Sequence, residues 1–444
     1  MRLVFVAAAM LFAVSAPFTL SAAEQASAPS IKPREVATDV AQAVEENYFD
    51  AAKGRTIAAG LRAQVQSGAY DRFSNPLDLA TALTSYLHPF DGHFTVVYRP
   101  EGGPQDLPGD GVRRTPGPGP TPGSTSPLAR QNYGFARTEM LPGGIGYIAV
   151  TQFAPIDAQS PRDPARMAVD AARQSVAGAR AIILDLRSSR GGAPGMVAYL
   201  ASYFVPANAA IFNTFHTRGA SGSEAPVVDP TGPRRLDTPL YILVNGGTGS
   251  ASESFPYTLQ AARRAVIVGE PTNGRANPGG FLRVSSGFAV FVSGGSPVNP
   301  ITHKNWEGTG VLPDIAVASA DALTRAQDVA LQRLLAAGPP APDAGELRWL
   351  LNDMHATPSA LGPQALQAYV GNYGEEANIT NENGALVLHQ GRRAATLRPV
   401  APDVFVSALD PLIHAQFERQ GGRVSAVTLL TPGGPITRFT RAAP

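Results

Sequence analysis

The first part of the chain has the apolar periodicity of helices. Valines recur every fourth residue over 36–44, and leucines do the same over 79–87, which is the spacing of one buried helix face. Asn75 and Pro76 precede the second of these runs, as an N-cap and a first helical residue do. We therefore predict a helical N-terminal subdomain over residues 31–98.

Strands and helices alternate in the middle of the chain. Residues 99–131 are rich in proline and glycine without apolar periodicity, which is typical of a linker loop. Over 132–336, short apolar runs such as "AIILDLR" (181–187) and "LYILVN" (240–245) are separated by helical patterns. This alternation predicts α/β units around a mainly parallel sheet.

The last part of the chain has a different texture. Short β-like runs are punctuated by the turn signals Asn383-Gly384 and Gly433-Gly434. We predict a separate, small, all-β domain of the β-barrel type over residues 361–444.

The N-terminus resembles an export signal. Residues 1–23 contain Arg2, an apolar run and small residues at their end, the layout of a secretory signal peptide. The run is short for a membrane span and is followed by Pro17. We expect cleavage after Ala23, export to a periplasm or beyond, and no stable membrane insertion afterwards.

Composition removes several classes of function. The 444 residues carry a net charge of +1, so no charge excess indicates binding to nucleic acid. The chain has no cysteine, which excludes disulfides, thiolate metal sites and cysteine nucleophiles. HExxH is absent as well, and we expect neither a metal nor an organic cofactor.

Three serines follow a glycine-rich turn in "NGGTGSASESF", residues 245–255. With Glu253 three residues later, Ser250 fits a capping box, which is a purely structural role. Ser250 also follows a predicted strand and opens a helix, where free N–H groups favour a developing negative charge. The stretch alone leaves both roles open.

A second glycine-rich loop follows the predicted strand 181–187. In "DLRSSRGGAPG", Gly191 and Gly192 allow backbone amides to face an open site, which suits an oxyanion. A tight strand-to-helix turn explains the same residues. Because ligand sites gather at the carboxyl ends of parallel strands, this loop and that of Ser250 point to one edge of the sheet.

A serine nucleophile needs a base. Lys304 is the only lysine in the α/β region, while His93, in "FDGHF", lies at a loop-to-strand junction, where catalytic residues are often found. Glu307, in "NWEGTGVLPDI", follows Trp306, so it could be partly buried and orient a histidine. A surface turn with a salt bridge is the alternative for this glutamate.

Four motifs together resemble a known family. "LDLRSSRGG", "NGGTGSASES", "VIVGEPTNG" and "NWEGTGVLPDI" have the order and rough spacing found in tail-specific (C-terminal processing) serine peptidases. The resemblance is to the branch of the tricorn core and interphotoreceptor retinoid-binding protein, and it covers about residues 31–317. It implies an α/β core of the ClpP/crotonase-like type behind a helical N-terminal subdomain.

The resemblance also implies roles for individual residues. Ser250 matches the family nucleophile, the amide of Ala251 matches part of the oxyanion hole, and Gly191-Gly192 is similar to the second oxyanion donor. The capping box is compatible with this role, since one serine can both begin a helix and present its hydroxyl.

The base follows from the same resemblance. One branch of the family uses a lysine, but Arg275 stands at the matching position, and a guanidinium stays protonated. The other branch uses a histidine before the core and a late glutamate, which match His93 and Glu307. Gly92 stands where that branch has a serine, and no PDZ-like module is recognisable between His93 and the core.

The sequence therefore predicts an exported serine peptidase acting on peptide or protein substrates. Two alternatives remain open: a carrier of apolar, retinoid-type ligands without catalysis, and an esterase or other acyl hydrolase using the same site. Thr248 replaces the first glycine of G-x-S-x-G, which disfavours the α/β-hydrolase fold but not ester substrates.

Overall fold

The computed structural model describes residues 31–100, 126–223, 230–356 and 361–442. The predicted signal segment 1–23 and most of the linker 99–131 lie outside the described residues.

The helices are α1 Pro33–Asn47, α2 Ala51–Gln66, α3 Pro76–Leu87, α4 Pro127–Arg130, α5 Pro164–Ser175, α6 Pro194–Ala201, α7 Ala251–Ala261, α8 Ala322–Ala336, α9 Ala341–His355 and α10 Pro363–Gln367. The strands of the core are β1 Thr95–Tyr98, β2 Phe135–Leu141, β3 Ile145–Val150, β4 Ala181–Asp185, β5 Thr214–Thr217, β6 Ala220–Ser223, β7 Leu240–Val244, β8 Val266–Gly269, β9 Gly279–Arg283, β10 Phe288–Ser293, β11 Gly295–Val298 and β12 Ile315–Ala316. The C-terminal strands are β13 Gly371–Tyr373, β14 Ala377–Glu382, β15 Ala385–Gln390, β16 Arg393–Ala401, β17 Val404–Ser407, β18 His414–Gln420, β19 Arg423–Thr431 and β20 Gly434–Thr440.

The N-terminal helices form where the periodicity predicts them. Asn75 accepts the N–H of Leu77 with its side chain, and Pro76 is the first residue of α3. The subdomain is completed by a later part of the chain, because β1 pairs with β10 in the three-stranded sheet β1-β10-β9. Phe288 and Val290 of β10 are buried among the side chains of α1 to α3. This places the loop between α3 and β1 against the α/β core.

The centre of the molecule is a six-stranded sheet in the order β12-β8-β7-β4-β3-β2. All its pairs are parallel except β2 with β3. Side chains of α5, α6 and α7 are buried with one face of the sheet, and those of α8 and α9 with the other. The result is a mixed α/β core in which the loops after β4 and β7 lie at the carboxyl edge of neighbouring strands.

The C-terminal domain is an antiparallel meander of eight strands, β13 to β20 in sequence order. A β-bridge between Tyr373 and Arg441 joins its two ends, which gives the domain a barrel-like closure. The domain also contacts the core, because His414 Nε2 lies 2.7 Å from Asp353 Oδ2 of α9. The His414 ring packs against Trp349 in a tilted arrangement, with centroids 4.0 Å apart.

Candidate active site

Ser250 is the N-cap of α7 and lies six residues after Val244, the last residue of β7. Its φ of 54° and ψ of −124° lie in a region that non-glycine residues rarely adopt, and such strain collects at functional sites. The predicted capping box is confirmed, with the N–H of Ser250 donating to Glu253 Oε2 at 2.7 Å. Ser250 is only partly buried, so the cap leaves its side chain within reach of solvent.

Glu253 does more than cap the helix. Its buried carboxylate also accepts hydrogen bonds from the N–H of Gly274, the N–H of Arg275 and the hydroxyl of Thr272, at 2.6, 2.9 and 2.5 Å. Burial raises the pKa of this carboxyl group, and the hydrogen bonds from Thr272, Gly274, Arg275 and Ser250 oppose that shift. One side chain therefore ties the start of α7 to the loop 272–277.

The other two serines of the stretch are interior. The hydroxyl of Ser252 lies 2.5 Å from that of Ser189, and both residues are fully buried. Ser254 is also buried and accepts a hydrogen bond from Asn213 at 3.1 Å. Both hydroxyls serve packing, which leaves Ser250 as the candidate nucleophile of the three.

The glycine pair of the second loop lies directly against Ser250. A Cβ atom at Gly191, where φ is +113°, would lie 2.8 Å from Ser250 Cβ and 3.2 Å from the nitrogen of Ala251. At Gly192 a Cβ would overlap the carbonyl oxygen of Phe153 at 2.0 Å. Both positions therefore require glycine, and they bring the second loop to the predicted oxyanion site.

The backbone amides at this point are available for a ligand. Within the described ranges, no hydrogen bond uses the N–H of Ala251 or Gly192. Ala251 is the first residue of α7, where an N–H has no intrahelical acceptor. Such amides suit a developing oxyanion.

His93 lies between α3 and β1, with its side chain only 12% exposed. Its Nδ1 is 3.5 Å from Asp91 Oδ1 and 3.8 Å from Glu307 Oε2, and its ring stacks on Phe291 with centroids 5.6 Å apart. The fold thus brings together a histidine and a glutamate that are 214 positions apart in the chain. Both were predicted site residues.

Glu307 is held by backbone amides of the same loop that Glu253 binds. Its Oε2 accepts the N–H groups of Ala276 and Asn277 at 2.6 and 3.1 Å, and its Oε1 accepts that of Gly92 at 3.3 Å. Burial, followed by the nearby charge of Asp91, raises the pKa of Glu307. The predicted partial burial of this glutamate is therefore present.

Asp91 was missed by the sequence analysis. Its side chain is fully buried, and its Oδ2 accepts hydrogen bonds from Tyr48 at 3.3 Å and from Asn277 at 3.0 Å. The only local signal is the D-x-H spacing, since Oδ1 accepts the backbone N–H of His93 two residues on at 2.9 Å. That spacing is also typical of an ordinary Asx turn.

The side chains of the other candidate residues, Lys304 and Arg275, are exposed. Within the described ranges, no hydrogen bond joins His93 to Ser250. Ligand-type atoms of Asp91, His93 and Glu307 lie within 4.8 Å of one another, but their carboxylates already accept the protein hydrogen bonds given above. The cluster is therefore organised around the imidazole.

Comparison with known proteins agrees with the motifs. Residues 144–317 match the sequence profile of peptidase family S41. The chain is 31% identical over 195 residues to the carboxyl-terminal-processing protease of Synechocystis sp., covering 44% of this chain and 42% of that one. It is 30% identical over 172 residues to the chloroplastic carboxyl-terminal-processing peptidase 2 of Arabidopsis thaliana, covering 38% and 31%. The matched region thus spans less than half of each of these relatives.

Among solved structures, the photosystem II D1 C-terminal processing protease is similar over 65% of this chain and 94% of its own, with 17% identity and a TM-score of 0.39. In the part of the chain that the structure describes, no helix is both long and apolar enough to cross a membrane.

Proposed function

Because residues 144–317 match the model of peptidase family S41, we propose that the protein is a serine peptidase that hydrolyses peptide bonds in protein substrates. The names of its relatives suggest cleavage near carboxyl termini. We also propose a core of the ClpP/crotonase-like type and, from the composition of residues 1–23, export to a periplasm or beyond.

The main support for this proposal is the local environment of Ser250. A strained N-cap serine packs against Gly191 and lies beside the open amide of Ala251. A nucleophile and an oxyanion donor are thereby adjacent on one rigid element, which is what acyl transfer requires. A serine that only capped a helix would need neither the positive φ nor the facing glycine loop.

In the proposed mechanism, His93 accepts the hydroxyl proton of Ser250 as the oxygen attacks the scissile carbonyl carbon. The π electrons of that carbonyl move to its oxygen, which the amides of Ala251 and Gly191 or Gly192 stabilise. The intermediate then expels the amine, which takes its proton from His93. Water hydrolyses the acyl-enzyme by the same sequence of steps.

Glu307 stabilises the imidazolium that forms at His93. Its oxygen is 3.8 Å from Nδ1, a distance at which opposite charges favour the protonated ring. Catalytic hydrogen bonds are often long before substrate binds. We therefore expect the distances between His93 and its partners to shorten when substrate binds.

Labelling with a fluorophosphonate tests the nucleophile directly. We expect the wild-type protein to be labelled at Ser250, Ser250→Ala not to be labelled, and the matched variant Ser254→Ala to keep its label. Loss of the cap costs only about 0.5–2 kcal/mol, so Ser250→Ala remains folded. Full labelling of folded Ser250→Ala would refute the assignment of the nucleophile, and absence of labelling in the wild-type protein would favour a carrier.

The substrate class needs a second experiment. Matched peptide and ester substrates separate a peptidase from an esterase, and a peptide-library digest read by mass spectrometry shows the position of cleavage. Turnover of esters alone would replace the peptidase assignment by that of an acyl hydrolase.

A further inference from the structure

Two carboxylates face one nitrogen of His93. The Nδ1 atom is buried and has no hydrogen-bond partner in the described part of the chain, although Asp91 Oδ1 and Glu307 Oε2 lie 3.5 and 3.8 Å away. A buried polar atom without a partner is rare in a native protein. These two oxygens are therefore the candidate acceptors for Nδ1–H.

The two carboxylates differ in how many backbone bonds already occupy the facing oxygen. Glu307 Oε2 accepts hydrogen bonds from two backbone N–H groups, so it has little remaining capacity to accept a third one from the ring. Asp91 Oδ1 accepts only one, from the backbone of His93 itself. That bond also ties Asp91 to the residue whose ring it faces, because both belong to one turn.

Asp91 is fixed from its other side. Its Oδ2 accepts hydrogen bonds from Tyr48, directly after α1, and from Asn277, in the loop after β8. Its side chain is fully buried, whereas that of Glu307 is 20% exposed. The titratable groups that face it are Tyr48, His93 and Glu307. Three different segments thus hold this carboxylate in a single position.

The pKa values of Asp91 and Glu307 shift in opposite directions as well. Burial alone would raise the pKa of Asp91, but His93 and Asn277 lower it to about 2. Burial and the charge of Asp91 raise the pKa of Glu307. Asp91 therefore keeps its negative charge to a lower pH than Glu307 does.

We propose that Asp91 is the positioning residue of His93: its carboxylate accepts a hydrogen bond from Nδ1–H, so that Nε2 is left unprotonated to receive the proton of Ser250. Glu307 then acts on the ring through its charge alone. The inference rests on the proposed serine peptidase mechanism and assigns the orienting hydrogen bond within it. A histidine held in the wrong tautomer presents an N–H to the serine and cannot act as its base.

The test compares Asp91→Asn with Glu307→Gln. An asparagine whose oxygen takes the place of Oδ2 keeps the hydrogen bonds from Tyr48 and Asn277. Its NH₂ group then takes the place of Oδ1, where it gives up the backbone bond from His93, faces Nδ1 and reverses the tautomer. We expect Asp91→Asn to lower kcat by about 10²–10⁴-fold with little change in KM. We also expect the acid limb of its pH–rate profile to move to lower pH. Glu307→Gln should lower kcat less.

Nitrogen NMR of the His93 ring provides a readout that a merely structural role would not change. In the wild type and in Glu307→Gln we expect the proton on Nδ1, and in Asp91→Asn a shift of the population towards Nε2–H. If Asp91→Asn keeps the wild-type tautomer and kcat while Glu307→Gln loses them, the assignment is wrong.

A crystal structure of the wild-type protein gives an answer even if Asp91→Asn does not fold. Nδ1 within hydrogen-bond distance of Asp91 supports the proposal, and the same distance to Glu307 instead overturns it. Both the tautomer and this distance are measured without turnover. Failure of the peptidase assignment would appear separately, as absence of fluorophosphonate labelling at Ser250.

Discussion

Replacing Glu253 by glutamine should uncouple the nucleophile from the loop that holds Glu307. The carboxylate of Glu253 accepts four hydrogen bonds, two on each oxygen. The amide of glutamine has one oxygen, so in either orientation its NH₂ group faces two former donors. The hydroxyl of Thr272 can turn to accept, but the N–H groups of Ser250, Gly274 and Arg275 cannot.

The loss can be sized from these bonds. Hydrogen bonds to a charged group contribute about 1.5–3 kcal/mol each, so the loss of one or two bonds, depending on the orientation of the amide, amounts to about 1.5–6 kcal/mol. Burial of the charge, which raises the pKa of Glu253, offsets part of this. We expect a decrease of about 2–4 kcal/mol in the free energy of unfolding.

Activity should fall with stability. The amides of residues 274 and 275 bind Glu253, and the next two bind Glu307, so a shift of this loop displaces Glu307. A misplacement of about 1 Å can cost about 10²-fold in rate. We therefore expect kcat/KM to fall about 10²-fold in Glu253→Gln even where the protein remains folded.

Urea unfolding at neutral pH and peptide hydrolysis are the assays. The matched control is Glu270→Gln, because Glu270 is exposed and accepts a single backbone N–H, from Ser319 at 2.9 Å. It should change stability by no more than about 0.5 kcal/mol. Equal stability and activity in Glu253→Gln and this control would refute the reasoning.

Three further predictions concern the base, the C-terminal domain and acid stability. His93→Ala should be folded but almost inactive, whereas Lys304→Ala should stay active in the same peptide assay; the reverse result would identify the lysine as the base. His414→Ala leaves the buried carboxylate of Asp353 without its partner and should cost about 3 kcal/mol in urea unfolding, while fluorophosphonate labelling persists; loss of labelling in the folded variant would give the domain a part in the active site. Because the pKa of Asp91 is lowered from 3.8 to about 2, this group stabilises the fold by about 2 kcal/mol above its ordinary pKa, and the stabilisation is lost as the pH falls through about 2. Acid unfolding of Asp91→Asn should lack this component, and an unchanged acid profile would contradict the lowered pKa.

Local interactions explain which features were predictable from sequence. The start of α3 at Pro76 follows from the side chain of Asn75 two residues away, and the capping box joins residues only three apart. The alternation of apolar strands with helices likewise follows from periodicity within short windows. The order of four motifs sufficed to predict the peptidase family, which the match over residues 144–317 confirms.

Contacts between distant segments account for what the sequence analysis missed. The helix α9 was not assigned to the core, although its leucines are buried beside those of the sheet. The completion of the N-terminal subdomain by β9 and β10 was also missed, because strand pairing depends on partners almost two hundred residues away. The apolar periodicity of a strand does not indicate which other strand it pairs with.

The same division holds at the site. Sequence alone determined the residue types, their order and the local turns that present Ser250 and His93, since these depend on neighbours within a few positions. Tertiary structure decided that Asp91 and Glu307 face the same imidazole nitrogen, and that one loop carries the donors for both Glu253 and Glu307. These contacts arise from the packing of the subdomain on the core, which gives each carboxylate its burial and its hydrogen-bond donors, and both are properties of the folded chain.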